Sequence, residues 1–161
     1  MSCCRWPRSR KQGGAQLAEC VFCDIIARRA PVSMVYEDSN VAGFMTLRPT
    51  APGECLVIPR VHVDHFTDLD EDLAARVMVV ALRLGRRVRE VFKPMRVGFV
   101  VHGFGVPHAH LIVVPQHGPH DITSCRLAHV EDGKVVFDLR STPVADRTVL
   151  DEHASLLKTD P

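Results

Sequence analysis

One stretch decides the fold of this chain: Val106-Pro107-His108-Ala109-His110-Leu111-Ile112-Val113-Val114-Pro115. Its second half is a run of branched aliphatic residues, which is typical of a buried β-strand. Because alternate side chains of a strand share a face, His108 and His110 point the same way, about 7 Å apart. The side chains on the opposite, core face are Ala109, Leu111 and Val113. A single histidine on an apolar face is ordinarily a satisfied core residue, but two on one face favour chemistry.

Other segments of the chain also have the composition of strands. Those preceding the histidine stretch are residues 34–37, 41–45, 55–58 and 97–101. The first two flank the turn formers Asp38-Ser39-Asn40 and predict a hairpin. Pro59 ends the third, and the histidine stretch supplies a fifth strand over 110–114. Residues 135–138 are a candidate edge strand.

One long helix is predicted over about 70–91, with Asp68 or Asp70 as its N-cap. Its apolar residues recur at helical spacing and form one stripe: Leu73, Val77, Val80, Ala81, Leu84, Val88 and Val91. Shorter helices are expected before Pro31, over 19–29, and near the end of the chain, over 146–158. Strands linked by short turns around one long helix predict an α+β fold, with an antiparallel five-stranded sheet and short flanking helices.

Composition narrows the class of protein. The chain has 161 residues, 46% of them hydrophobic, and a formal net charge of +1, so nothing global points to nucleic acid or an anionic membrane. We expect a disordered basic leader over 1–18, a domain over 19–119 and an extension over 120–161 packed on it. The leader lacks the apolar centre of a secretory signal, which predicts a cytoplasmic protein.

Two cysteines have the spacing of a metal half-site or a redox pair, Cys20-x-x-Cys23. A tetrahedral zinc ion needs about two more nitrogen or sulfur ligands. His62 and His108 each lie at a strand end that a CxxC segment could reach, and His65 is an alternative to His62. No thioredoxin-like βαβ pattern surrounds the cysteines, so the redox reading is weak.

Four motifs in order carry a family resemblance. They are Cys20-Val-Phe-Cys23-Asp-Ile-Ile, Tyr36-Glu-Asp, Leu56-Val-Ile-Pro-Arg-Val-His62 and Val106-x-His108-x-His110-x-x-x-x-Pro115. Their order and spacing resemble the histidine-triad (HIT) superfamily, in the bacterial branch that carries zinc, over about 19–119. The resemblance implies a homodimer that binds purine nucleotides. It also implies cleavage or transfer of a nucleotidyl group from phosphoramidates, dinucleoside polyphosphates or adenylylated compounds.

The same resemblance assigns roles to individual residues. The middle histidine of the motif, His110, corresponds to the nucleophile that attacks the α-phosphorus. A structural zinc ion is implied on Cys20, Cys23, His62 and His108. Substrate-binding positions are implied at Val21, Phe22, Ile25, Phe44, Thr46, Leu47, Gly105 and Val106. Ordinary core packing is an equally good explanation for Ile25 and Leu47.

The chain departs from the family pattern where the phosphate would bind. The third histidine is Ile112, which donates no hydrogen bond, and the acid that grips the ribose is Thr46. The run before the motif is Gly103-Phe104-Gly105-Val106, without the family's serine, although His102 offers a partial substitute. Each lost transition-state donor costs on the order of 3 kcal/mol.

Two functions therefore remain open. The first is a HIT-type nucleotidyl hydrolase or transferase with His110 as nucleophile. The second is a nucleotide-binding protein with a structural zinc that turns its ligand over slowly or not at all. We favour the enzyme, because an idle imidazole is costly to keep in an apolar strand.

Overall fold

A computed structural model describes residues 20–122, 128–137 and 142–160. Its main sheet has five antiparallel strands: β1 (Met34–Glu37), β2 (Val41–Met45), β3 (Cys55–Pro59), β4 (Arg96–Val100) and β5 (Leu111–Gln116). They lie in the order β1-β2-β3-β5-β4, so the histidine segment leads into a strand with a neighbour on each side. The helices are α1 (Val21–Ile26), α2 (Glu71–Phe92) and α3 (Arg147–Leu157), with a 3-10 turn over Phe66–Asp68. The predicted α+β class and five-stranded sheet are confirmed.

Helix α2 forms where its caps and apolar stripe predict it. The Asp70 side chain accepts a hydrogen bond from the Leu73 N–H, and Lys93 ends the helix in a left-handed conformation. The buried stripe, which includes Val77 and Leu84, packs on one face of the sheet against Val57, Leu111 and Val113. Helix α3 lies beside α2 on this face and contacts β1 and β2.

The opposite face of the sheet carries α1 and a second, smaller apolar cluster. It contains Phe22 and Ile25 of α1 together with Phe44, Leu56 and Ile58 of the sheet. The first helix is shorter than the predicted 19–29. The histidine side chains that precede β5, and the β5 side chains on the same face, also lie here. This face of the sheet therefore carries the candidate site.

Pro115 lies inside β5 although proline donates no backbone hydrogen bond. The ladder between β3 and β5 runs from Val57↔Leu111 to Cys55↔Val113 and ends there. Only β4 pairs with the strand at Pro115, through Val97. At Pro115 the strand thus has a partner on one side only, as at a sheet edge, where proline is tolerated.

Asp38 fixes the hairpin between β1 and β2 to helix α2. Its carboxylate accepts hydrogen bonds from the N–H groups of Asn40 and Val41, from the Tyr36 hydroxyl and from Arg76. Burial opposes ionisation, but these hydrogen bonds outweigh it and lower the pKa of Asp38 to about 2. The predicted turn residue is thus also the anchor of the hairpin.

The candidate edge strand at 135–138 forms one residue earlier, in a two-stranded sheet separate from the main one. Strand β7 (Lys134–Phe137) pairs with β6 (Ala128–Glu131) in a separate two-stranded sheet. The turn between them has positive φ at Asp132 and Gly133, the conformation of a type I′ turn. An Asp-Gly pair between two apolar segments is a strong hairpin signal. The strand that pairs with β7 is therefore formed by residues 128–131 and not by the main sheet.

Some predictions concern residues outside the described ranges. The basic leader over 1–18 lies outside them, as do Cys3, Cys4 and Cys125. Within the described ranges, no helix combines the length and the apolar character that crossing a bilayer requires.

Candidate metal centre and adjacent histidine pocket

Four side chains from three parts of the chain converge at the start of α1. They are Cys20, Cys23, His62 and His108, and their ligand atoms all lie within 4.8 Å of one another. Cys20 and Cys23 come from the first turn of α1, because residues three apart on a helix share a face. His62 follows β3 and His108 precedes β5, and these strands are antiparallel neighbours. The predicted ligand set is therefore brought together.

The spacing of the donor atoms matches a tetrahedral ion. The Nδ1 atom of His108 lies 3.5 Å from Cys20 Sγ and 3.7 Å from Cys23 Sγ, and His62 Nδ1 lies 3.3 Å from Cys23 Sγ. Ordinary Zn–S and Zn–N bond lengths in a tetrahedron place sulfur and nitrogen about 3.6 Å apart. Two thiolates and two imidazoles at this spacing fit zinc, the predicted cofactor.

The second ring nitrogen of His108 supports a ligand role. Its Nε2 lies 2.9 Å from the Pro59 carbonyl oxygen, and a carbonyl only accepts hydrogen bonds, so Nε2 carries the proton. Nδ1 is then left with a free lone pair that points at the thiols. A backbone carbonyl that fixes the tautomer of a histidine ligand is a usual companion of protein zinc sites.

The protonation of these groups agrees with this assignment. His108 is 0% exposed, and burial lowers its pKa, which keeps the imidazole neutral and able to ligate. Burial, followed by the neighbouring Cys20, raises the pKa of Cys23 to about 11. Two adjacent thiolates therefore need a cation to be stable. His65 is exposed beside Asp64 and does not belong to the cluster.

His110 lies two residues from the cluster and has different surroundings. Its Nδ1 lies 2.8 Å from the backbone oxygen of His108, so Nδ1 donates and Nε2 holds the lone pair. The ring is 8% exposed and lines a small pocket of about 10 Å³, which has room for about one water. The unprotonated nitrogen thus belongs to a ring that opens onto a pocket rather than to one packed dry in the core.

The predicted substrate-binding residues fall into three groups. Phe22, Ile25 and Phe44 are buried in the apolar cluster, and the Phe22 ring meets that of His110 edge-on at 5.6 Å. Val21 and Leu47 are exposed. The structure therefore places Phe22 beside His110, Phe44 against Phe22, and Val21 and Leu47 at the surface.

The other predicted substrate positions lie in loops. Thr46 follows β2, and its N–H donates to the Glu54 carbonyl. Val106 packs against the apolar cluster, whereas Gly105 has open space around its Cα and a φ of 102°. Next to these, Phe104 is 71% exposed and its ring lies 6.1 Å from that of His102.

Sequence reasoning missed part of the wall of the His110 pocket. Asp64 and Phe66, after β3, line it together with Val101 and Gly103. A backbone hydrogen bond of 2.7 Å from the Ala109 N–H to the Val63 carbonyl holds the two segments together. Nothing in the local pattern of residues 63–66 signals this contact, because it joins parts of the chain more than 40 residues apart.

The fold and this site together define an α+β protein with a Cys₂His₂ cluster next to a pocket-lining histidine. The HIT domain family model matches residues 27–118, more than half of the chain. The chain therefore belongs to the HIT domain family.

Individual relatives agree with this assignment. The chain is 30% identical over 107 residues to Protein hit of Bacillus subtilis, covering 63% of this chain and 74% of that protein. A Zn-bound histidine triad family protein from Mycobacterium smegmatis has a similar structure, with 29% identity, a TM-score of 0.65 and coverage of 87% and 91%. A HIT family hydrolase from Legionella pneumophila is 31% identical, with a TM-score of 0.53 and coverage of 60% and 91%.

Proposed function

We propose that this protein is a nucleotide hydrolase or nucleotidyl transferase that acts at the α-phosphate of a purine nucleotide conjugate. The observation that carries the proposal is the hydrogen bond from His110 Nδ1 to the His108 carbonyl. It leaves Nε2 as the basic nitrogen of a ring that lines a pocket, which is what a nucleophilic imidazole requires. The structurally similar Legionella pneumophila protein carries the name hydrolase.

The reaction then has two steps. The Nε2 lone pair of His110 forms a bond to the α-phosphorus, and the bond from phosphorus to the leaving group breaks with its electron pair. The leaving group takes up a proton and departs. Water, or an acceptor alcohol or amine, next attacks the nucleotidyl-histidine and restores the neutral imidazole.

We propose that the purine base binds at the apolar cluster. Phe22 and Phe44 contact each other edge-on at 5.4 Å, and Phe22 also reaches His110. A flat base stacks well on such rings and gains from the apolar surroundings. In this proposal Leu47 belongs to the base pocket, Thr46 binds the sugar, and Gly105 and Val106 lie at the phosphate.

Zinc has a structural role in this proposal. With Cys20 and Cys23 on α1 and with His62 and His108 on the sheet side, one ion ties the first helix to the segment that carries His110. The relative from Mycobacterium smegmatis is a Zn-bound protein, which supports zinc as the occupant. The ion fixes the position of His110 through its neighbour.

We also propose a homodimer. The strand β4 is an edge of the main sheet, and Gly85 of α2 packs closely against Phe99 of that strand. Met78, Val79 and Leu82 leave an apolar face of α2 exposed. Such a face beside an open strand edge fits a second copy of the chain. The molar mass in solution should be twice 17.9 kDa, and a monomer would contradict the dimer.

A specific observation favours a second candidate, a nucleotide-binding protein without turnover. Ile112 stands on the His110 face and offers no donor, and the pocket beside His110 holds about one water rather than a phosphate group. Both features reduce the stabilisation of charge on the phosphoryl oxygens.

The experiment that separates the candidates uses adenosine 5′-phosphoramidate and diadenosine tetraphosphate with purified protein. We expect release of a mononucleotide from at least one of the two compounds, and loss of that release in His110→Ala. His117→Ala is a matched control, because that histidine is exposed and lies outside the pocket. Equal turnover in His110→Ala would overturn the nucleophile. Binding by calorimetry without release would establish the second candidate, and neither binding nor release would exclude both.

A further inference from the structure

The pocket beside His110 has an uneven distribution of charge. Its wall outside the histidine segment consists of Asp64, Phe66, Val101, Gly103 and Val106. Asp64 is an acidic residue of this wall, and no lysine or arginine lines the pocket among the residues that the structure describes. The charge of Asp64 is therefore not offset by a basic side chain in this pocket wall, whereas arginine and lysine are common partners of phosphate groups.

Asp64 is held in place by the backbone. The preceding residue, Val63, accepts the 2.7 Å hydrogen bond from the Ala109 N–H, and Ala109 lies between the two histidines of the motif. The loop after the zinc ligand His62 is therefore pinned against the segment that carries His110. His65 Nε2 lies 3.8 Å from the Asp64 carboxylate, and both side chains are largely exposed.

The two sides of His110 can be assigned to two parts of a substrate. Phe22 meets the ring from the apolar cluster, which is the side proposed for the purine. Asp64 and Phe66 lie in the pocket wall and do not belong to that cluster. With the base at the cluster and the α-phosphate at His110, as proposed above, the leaving group would lie on the pocket side, whose wall includes Asp64.

We propose that Asp64 selects the leaving group by charge, admitting cationic and neutral groups and rejecting anionic ones such as polyphosphates. The inference rests on the proposed function and narrows its substrate class. The carboxylate attracts a cation and repels an anion near it, and the effect is moderate because Asp64 is solvent-exposed.

The test uses three adenosine 5′-phosphoramidates with the same P–N bond and differently charged amines. Ethylenediamine gives a cationic leaving group, propylamine a neutral one and β-alanine an anionic one. At about pH 8, where imidazoles are ordinarily neutral, we expect kcat/KM to fall in that order, by roughly threefold to tenfold per charge. Asp64→Asn should bring the cationic-to-anionic ratio down by about tenfold.

The comparison of variant with wild type cancels the intrinsic reactivity of each amine. Asp68→Asn is the matched control, because it removes the same charge from an exposed position four residues on, outside the pocket wall. It should keep the wild-type order. About 1 M salt should flatten the order in wild type but not change Asp64→Asn. An order that survives in Asp64→Asn, or no order in wild type, would overturn the inference.

Binding keeps the inference testable without turnover. The same three compounds, titrated into His110→Ala, should show the same order of affinity. Equal affinities would refute the charge selection while leaving the proposed function intact. Failure of all three to bind or react would overturn both.

Discussion

His108 and His110 are two residues apart on one face of the sheet, but only His108 has a neighbouring group at each ring nitrogen. Around His108, both ring nitrogens are engaged: Nε2 donates to the Pro59 carbonyl, and Nδ1 points at two thiols. Around His110, Nδ1 is engaged and Nε2 is free at a pocket. Its neighbour on the same face, Ile112, supplies no donor.

The candidate metal centre around His108 serves to hold the fold together, whereas the pocket around His110 is the place proposed for the reaction. The Cys₂His₂ cluster has its four ligands and a hydrogen bond behind one of them, as structural zinc sites do. The pocket has the basic nitrogen of His110. Residues without a hydrogen-bond donor, however, stand where the family has groups that would stabilise a phosphoryl transition state. A site of this kind predicts a firmly held nucleophile and slow turnover.

The largest expected effect is that of His108→Ala, which disrupts the candidate metal centre. The variant loses a zinc ligand and leaves a cavity in a fully buried position, so we expect a loss of about 3 kcal/mol or more in the free energy of unfolding. Zinc content should fall from about one ion per chain to well below that. Elemental analysis and urea unfolding measure both.

Two controls separate the lost metal from the cavity. Cys55→Ala removes a buried thiol outside the cluster and should keep the zinc. A chelator should destabilise wild type and Cys55→Ala but have no effect on His108→Ala. Full zinc occupancy in His108→Ala would show that this histidine is no ligand.

A smaller effect is expected from Ile112→Gln, which changes the surroundings of His110. The amide places a donor on the face of His110, and one transition-state donor is worth up to about 10²–10³ in rate. Because the new side chain is not preorganised, we expect a rise in kcat of about tenfold, measured by mononucleotide release. Ile112→Leu, which keeps an aliphatic group, should show no rise. An unchanged kcat in a folded Ile112→Gln protein would mean that the missing donor does not limit the reaction.

Local patterns predicted much of the fold. The apolar stripe of α2, its Asp70 cap and the turn around Asp38 each depend on residues a few positions apart, and the structure confirms them. The strand over 135–138 was predicted without its partner β6, although Asp132-Gly133 carries the turn signal of their hairpin. The wall of the His110 pocket was beyond local reasoning, since Asp64 and Phe66 approach His110 only through the packing of distant loops.

By itself, the sequence indicated the period of each element and a Cys20-x-x-Cys23 half-site with His62, His65 and His108 as candidate partners. These follow from side-chain chemistry and from spacing along the chain, whereas the role proposed for His110 came from the family resemblance. Only the tertiary structure decided that His62 rather than His65 joins the cysteines, which nitrogen of each imidazole carries its proton, and that Asp64 lines the same pocket as His110. Those features depend on distances between atoms far apart in sequence, which are fixed when the sheet and loops pack together.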